Sequence, residues 1–261
     1  MISRPDTSFI DEISQGLNTK IIGRTFYHFK TIDSTNLYAK NLVKEDVEEG
    51  VVVIADIQSS GRGRKDRIWS SPEGGLWFSV LLYPNIHPKH GMLITMASSI
   101  AVAQCIKDVV GLDSEIKWPN DILLNGRKVC GILTELEADN DKINYTVVGI
   151  GLNVNNQLEK ELLGVATTLK EEVGNQVSRV EILRSIIKNL DENYNRLISG
   201  DYGFIRDLWL SNTNIIGKKI QVEDGKTVIT GIVSDVDERG CLILDTDAGQ
   251  DKIVSGDITY L

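Results

Sequence analysis

The densest set of reactive side chains lies in Gly61-Arg62-Gly63-Arg64-Lys65-Asp66-Arg67, where four cations accompany two glycines. Glycine lets backbone N–H groups approach an anion, and a guanidinium grips carboxylate or phosphate oxygens in a two-pronged fork. The segment therefore reads either as a phosphate-facing loop or as a solvated basic loop with weak affinity for nucleic acid. It lacks the GxxxxGK[ST] pattern of a P-loop. A second set is Lys117-Trp118-Pro119-Asn120-Asp121, followed by Lys128. A partly buried lysine there would act as a point charge toward a carboxylate or α-phosphate, while Asp121 could orient it or accept a proton. A surface turn with ordinary ion pairs is the plainer alternative. A third set is Gly149-Ile150-Gly151-Leu152-Asn153, whose glycines could admit a ligand against a strand end or simply ease a strand into a loop. Ser34-Thr35-Asn36 is open in the same way, as helix cap first and ligand contact second. Trp69, Trp77 and Cys130 read as packing residues.

The elements that must position these groups follow from hydrophobic pattern. A strand over 25–32 meets Asp33-Ser34-Thr35-Asn36, which caps a helix running through Leu37, Leu42 and Val43. The β-branched run 51–57 and the segment 76–83 read as strands flanking the long charged loop from Gln58 to Glu73, a length usually reserved for functional or mobile segments. Met92 to Ile106 is a buried helix, too interrupted by Thr95, Ser98, Ser99 and Gln104 to span a membrane. Strands over 122–124 and 128–137 flank Asn125-Gly126, the strongest short hairpin signal because a type I′ turn needs positive φ at both positions. A strand over 145–150 leads into the third glycine set. Helices are expected over 180–198, capped by Ser178, and over 204–210; one short helix, capped by Thr7 or Ser8, precedes them all. From Ile216 the texture changes to short alternating segments, 219–222, 228–233, 241–244 and 253–258, which read as a small β-barrel.

Composition narrows the field. With 37 acidic against 28 basic residues and a formal charge of -9, the surface is poorly suited to neutralising nucleic-acid phosphates, so any anion site must be local. Three widely spaced cysteines form no CxxC pair, which argues against a disulfide framework or zinc site and for a reducing cytoplasm. Arg4, Asp6, Asp11 and Glu12 break the order expected of a signal peptide.

Taken in order, Ser34 to Asn36, Gln58 to Arg64, Trp69, Lys117 to Asp121, Lys128 to Gly131 and Gly149 to Asn153 resemble the catalytic domain of biotin protein ligases, and the β-rich tail resembles that family's SH3-like C-terminal domain. The resemblance implies an α+β fold: a mixed sheet flanked by helices over 1–212, and an SH3-like β-barrel over 213–261. It implies an enzyme that uses ATP to convert biotin to biotinyl-5′-AMP, then transfers biotin to a lysine of a biotin carboxyl carrier protein or domain. Ser34, Thr35, Asn36 and Gln58 would meet biotin's ureido head; Gly61, Arg62, Gly63 and Arg64 would close over the adenylate. Lys128 would sit at the biotin carboxylate beside Gly131. Lys117, Asn120 and Asp121 match positions around the ATP phosphates, Asn153 an adenylate contact, and Trp69 the adenine side. Lys128, Arg62 and Asp121 would carry the catalysis, with Mg²⁺ bridging the phosphates and no metal held by a protein cage. A homodimer is an assembly open to such a ligase.

Two departures from the family pattern are visible. Asp66 stands where many members have glycine. The chain ahead of Ser34 is short for the winged-helix domain of relatives that repress transcription, so a ligase with neither nucleic-acid nor membrane partner is expected. The rival readings are a lipoate or octanoate transferase of the same fold, for which a serine-glycine-glycine-rich pocket would be expected, and a nucleic-acid-binding module built on the basic loop and barrel.

Overall fold

A computed structural model describes residues 7–223, 225 and 227–261. Arg4 and Asp6 lie outside the described residues. Helix α1 (Thr7–Ser14) precedes β1 (Phe26–Ile32), α2 (Thr35–Leu42), β2 (Val52–Gln58), β3 (Leu76–Leu82) and α3 (Gly91–Cys105). There follow β4 (Glu115–Lys117), β5 (Asp121–Leu124), β6 (Arg127–Ala138), β7 (Ile143–Leu152), α4 (Leu169–Val173), α5 (Arg179–Ile198) and α6 (Tyr202–Leu210). The tail holds β8 (Lys219–Glu223), β9 (Val228–Val236), β10 (Leu242–Thr246), β11 (Gly249–Ile253) and β12 (Asp257–Tyr260).

The first seven strands form one mixed sheet in the order β1-β2-β3-β7-β6-β5-β4, with β1 and β2 parallel and the remaining pairs antiparallel. Alternation along β2 serves both faces: Val52 and Ile54 join the large core under α3 and α5, and Val53 joins a smaller core under α2. Helix α3 has no dominant polar face and is almost wholly buried, with only Met92 and Gln104 half-buried. Its serine hydroxyls are satisfied locally, Ser98 donating to Ile94 O at 2.7 Å and Ser99 to Met96 O at 2.8 Å, while the Thr95 hydroxyl pairs with that of Thr134 on β6 at 2.8 Å. The span Pro88–Val110 is long and apolar enough to cross a membrane by composition, more than the sequence reading allowed, and here most of it is buried inside the protein. Ser34 and Ser178 cap α2 and α5 as expected, and Asn125 and Gly126 have φ of 50° and 76°, the hairpin geometry their types demand.

Three expectations need correction. Helix α1 starts at Thr7, so Thr7 and Ser8 both sit in its first turn and neither is its cap. The polar stretch after Asn153 contains α4, capped by Thr168, which is too short for hydrophobic periodicity to reveal. The single strand expected over 253–258 is two strands, because Ile253 and Ile258 are both buried yet five positions apart. Residues at odd spacing point to opposite faces of one strand, so the chain turns through Gly256 (φ 155°) to bury both. The tail is thereby a five-stranded antiparallel sheet, β11-β10-β9-β8-β12, of the SH3-like kind.

Strand β2 also carries Asp56, which lies 3.3 Å from His28 Nε2 and 2.8 Å from an Arg179 nitrogen at the start of α5. Burial alone would raise this carboxyl, but the bonds from His28 and Arg179 bring it from 3.8 down to about 2. A depressed folded value stabilises the fold above the unfolded value and is lost as protons return, here between about pH 4 and pH 2. Over that interval the parent protein is expected to lose ~2 kcal/mol more than Asp56→Asn. Denaturant titrations of both proteins at pH 6 and pH 2 measure it, and parallel losses would refute the assignment.

Candidate active site

One cleft of about 390 Å³ lies over β6 and β7, within the size range of small-molecule sites. All the residues to which the family resemblance gave a ligand or catalytic role line it except Gly61 and Lys117.

At one end the lining is made chiefly of uncharged polar side chains, with Arg62 beside them. The start of α2 places Thr35 so that its N–H donates to Gln58 Oε1 at 2.9 Å, with Thr35 Oγ1 3.1 Å from the same oxygen. Gln58 Nε2 in turn donates to Ser71 Oγ at 2.9 Å. The Ser79 hydroxyl, fully buried in β3, lies 2.7 Å from Thr35 Oγ1 and 2.6 Å from Asn36 Oδ1. Asn36 Nδ2 donates to Glu135 Oε2 at 2.8 Å, and Lys40 Nζ to Glu135 Oε1 at 2.6 Å. Burial would raise the Glu135 carboxyl, but Lys40, Asn36 and the Arg62 charge hold it below its ordinary value. The side-chain amides are thus fixed in orientation before a ligand arrives, as a site for a planar polar group requires.

The other group of contacts is charged. Lys128 Nζ lies 2.6 Å from Asp121 Oδ1, an ion pair whose approach falls outside good hydrogen-bond directions, and 5.1 Å from the centre of the Trp69 ring. The Asn120 side chain is braced by donating to Ile132 O at 2.7 Å and accepts from Arg64 Nη1 at 3.1 Å. Asn153 is buried, its Oδ1 accepting from Asn156 at 3.2 Å.

The glycines act differently from the sequence expectation. An added Cβ on Gly149 would fall 2.1 Å from Asn36 Oδ1, and one on Gly151 would fall 2.4 Å from Trp69 Nε1. Gly131, paired with Gly151 across β6 and β7, would meet Trp69 at 2.9 Å. These glycines admit the protein's own Asn36 and Trp69 side chains, which lie on the bare sheet and line the cleft. Gly61 works likewise: its Cβ would meet Trp69 O at 2.3 Å, so it folds the loop back on itself and does not face the ligand space. The loop is not patternless, because Gly63 N–H donates to Arg67 O and Trp69 N–H to Gly61 O at 2.7 and 2.9 Å. The Gly63 N–H is therefore engaged within the loop and does not project at an anion. Lys117, expected at phosphates, sits over the Tyr260 ring of the tail at 5.6 Å.

Sequence reasoning overlooked Ser79, Glu135 and Asp257. A lone serine in the otherwise apolar LWFSVLL was a usable signal. Glu135 resembled the solvated side of an alternating strand, and Asp257 carries no local signal at all.

Residues 28–153 match the Biotin/lipoate A/B protein ligase family and residues 215–259 the Biotin protein ligase C terminal domain. The bifunctional ligase/repressor BirA of Bacillus subtilis is 35% identical over 262 residues, spanning 99% of this chain and 81% of that protein. The chain belongs to the biotin protein ligase family. The biotin--[acetyl-CoA-carboxylase] ligase of Paracoccus denitrificans is 30% identical over 87% of this chain and 97% of its own length. Among solved structures, the biotin protein ligase from Aquifex aeolicus in complex with biotin and ATP superposes with a TM-score of 0.75 at 30% identity, covering 91% of this chain and 99% of that one. Membership accounts for the ordered motif set that no single segment could establish, and for the pairing of a mixed sheet with a small antiparallel tail.

Proposed function

We propose that this chain is an ATP-dependent biotin protein ligase whose single cleft performs both activation and transfer. The observation that carries the reading is the union, in one cleft, of an oriented hydrogen-bonding end with a charged one that holds Lys128, Arg64 and Asp121. Thr35, Asn36 and Gln58, with Ser34 at the helix start, hold the ureido head, and Lys128 receives the carboxylate. A carboxylate oxygen attacks the α-phosphorus, the bond to the β-phosphate oxygen breaks, and pyrophosphate leaves. Both reacting groups are anionic, so Lys128, Arg62 and Arg64 offset their repulsion and stabilise charge that develops in transfer. When Lys128 turns to the substrate, Asp121 is released from its ion pair and becomes available to take a proton from the acceptor amine. That amine then attacks the acyl carbon and AMP departs.

Among the described residues no group of three His, Cys, Asp or Glu side chains is placed to hold a metal. Asp121 is an available carboxylate for Mg²⁺ carried on the nucleotide's own phosphates. The acceptor is a carboxyl carrier domain, as the names of the ligase relatives suggest. Three free, buried thiols fit a reducing cytoplasm, and a division at 212/213 suits the change from the mixed sheet to the antiparallel tail. The lipoate alternative is opposed by the match of the tail to the biotin ligase C-terminal domain and by the cationic loop.

The test is biotin-dependent pyrophosphate release with ATP and Mg²⁺, followed by covalent labelling of a carboxyl carrier domain. Turnover with lipoate and none with biotin would overturn the assignment.

Asp66 bears on how long the adenylate is kept. Its φ of 57° follows Lys65 at 54°, both in the left-handed region, and its side chain is 97% exposed with only a 4.0 Å contact to Arg62. Glycine adopts this conformation without steric cost. Asp66→Gly is therefore expected to slow adenylate loss by about twofold to fivefold, corresponding to at most ~1 kcal/mol. Single-turnover trapping of released biotinyl-AMP measures it, and faster loss would contradict the strain argument.

A further inference from the structure

The cation-rich loop divides its charges between two partners. Arg62 reaches Glu135 (3.7 Å) and Arg64 donates to Asn120 (3.1 Å), both in the main domain. Lys65 and Arg67 reach instead into the C-terminal sheet, where both meet one oxygen of Asp257, at 3.2 and 2.5 Å. Arg64 adds a contact of 3.7 Å to the other oxygen. Two carbonyls complete the junction: Arg64 Nη2 donates to Gly256 O and Lys65 Nζ to Glu223 O, each at 3.3 Å.

We propose that Asp257 is a latch, a positioning residue through which the C-terminal domain holds the glycine-arginine loop over the cleft. Its place over an adenylate rests on the ligase reading, but the latch itself is a property of the free protein. A lone exposed ion pair would be too weak to order a loop. Here three cations share one carboxylate and two carbonyls accept from the same side chains, so the contacts reinforce one another. Burial would raise the Asp257 carboxyl, yet Lys65, Arg67 and Arg64 keep it below its ordinary value, and it is ionised at neutral pH. Something must also hold the two consecutive left-handed residues, Lys65 and Asp66, in a conformation that non-glycine residues seldom adopt. The domain seam has independent fastenings elsewhere: Trp118 Nε1 donates to Gly240 O at 3.1 Å, and Arg206 binds Val236 O at 2.5 Å and Asp235 at 2.6 Å. Releasing Asp257 should therefore free the loop and leave the domain docked. Lys65 and Arg67, which look like phosphate ligands in the sequence, thereby serve the loop's position.

Hydrogen exchange of amides 61–69 in the full, ligand-free chain tests this directly. Asp257→Asn should raise their exchange about fivefold to tenfold, and Lys65→Gln/Arg67→Gln, which leaves the C-terminal sheet untouched, should raise it equally. Combining the two sets should add nothing further, since both break one junction. In the enzyme loaded with biotin and ATP, the same variants should lose biotinyl-AMP about fivefold faster. Unchanged exchange in either variant, or additive effects in the combination, would overturn the latch. A protein that makes no adenylate would instead refute the ligase reading, and the exchange arm would still report on Asp257.

Discussion

Replacing Lys128 by alanine is expected to cut biotin-dependent pyrophosphate release at least ~100-fold, equivalent to about 3 kcal/mol of transition-state stabilisation. The folded chain should survive the change, because the side chain is 32% exposed and its ion pair with Asp121 lies in the cleft, outside the core. The loss has two parts. The carboxylate and the α-phosphate no longer share a cation, and Asp121 is left without its counter-charge beside two approaching anions. Lys128→Ala/Asp121→Asn separates them: removing the orphaned carboxylate should recover a fraction of the rate, and the remainder is the direct contribution of the ammonium. Steady-state pyrophosphate release with matched thermal melts provides the measurement. A rate within a few-fold of the parent, in a protein of unchanged stability, would remove Lys128 from the chemistry.

Gly149→Ala should have an effect of similar size on binding. The methyl group would land 2.1 Å from Asn36 Oδ1, and the backbone cannot retreat because Gly149 is paired with Ser79 on one side and Leu133 on the other. Asn36 must swing away, giving up its contacts with Ser79 and Glu135. Each hydrogen bond in a ligand-facing network of this kind is worth ~1 kcal/mol, and a buried group left unpaired costs ~1–3 kcal/mol. Biotin affinity by calorimetric titration is therefore expected to fall at least ~100-fold. In an Asn36→Ala background the clash has no target, so the same glycine substitution should cost little more, and a double-mutant cycle will show strong coupling. Additive losses would mean that Gly149 acts through the backbone and not through Asn36.

These two residues illustrate where a one-dimensional reading reaches its limit. Lys128 is visible as a lysine just past the Asn125-Gly126 hairpin, and its neighbour in space is Asp121 of the preceding strand, a few residues away. Gly149 is visible as a glycine, but the side chain that requires it comes from α2, and the sequence offers no means of linking the two.

What the sequence determined by itself is whatever depends on short-range preference. Ser34 and Ser178 cap their helices because a hydroxyl oxygen can accept from an N–H three residues on. Asn125-Gly126 closes its hairpin because both residues tolerate positive φ. Met92 to Ile106 is buried because it offers no polar face to water. The ordered motif set, read as a resemblance, also located the family and most of the cleft. The tertiary structure alone decided which charge meets which. Arg64 and Gly256 are 192 positions apart yet in contact, Lys117 faces Tyr260, and Glu135 joins Arg62 to Asn36. Coulombic and hydrogen-bond energies depend on distance and direction, and those are set by how two sheets dock and where β11 turns into β12, which no local window of residues encodes.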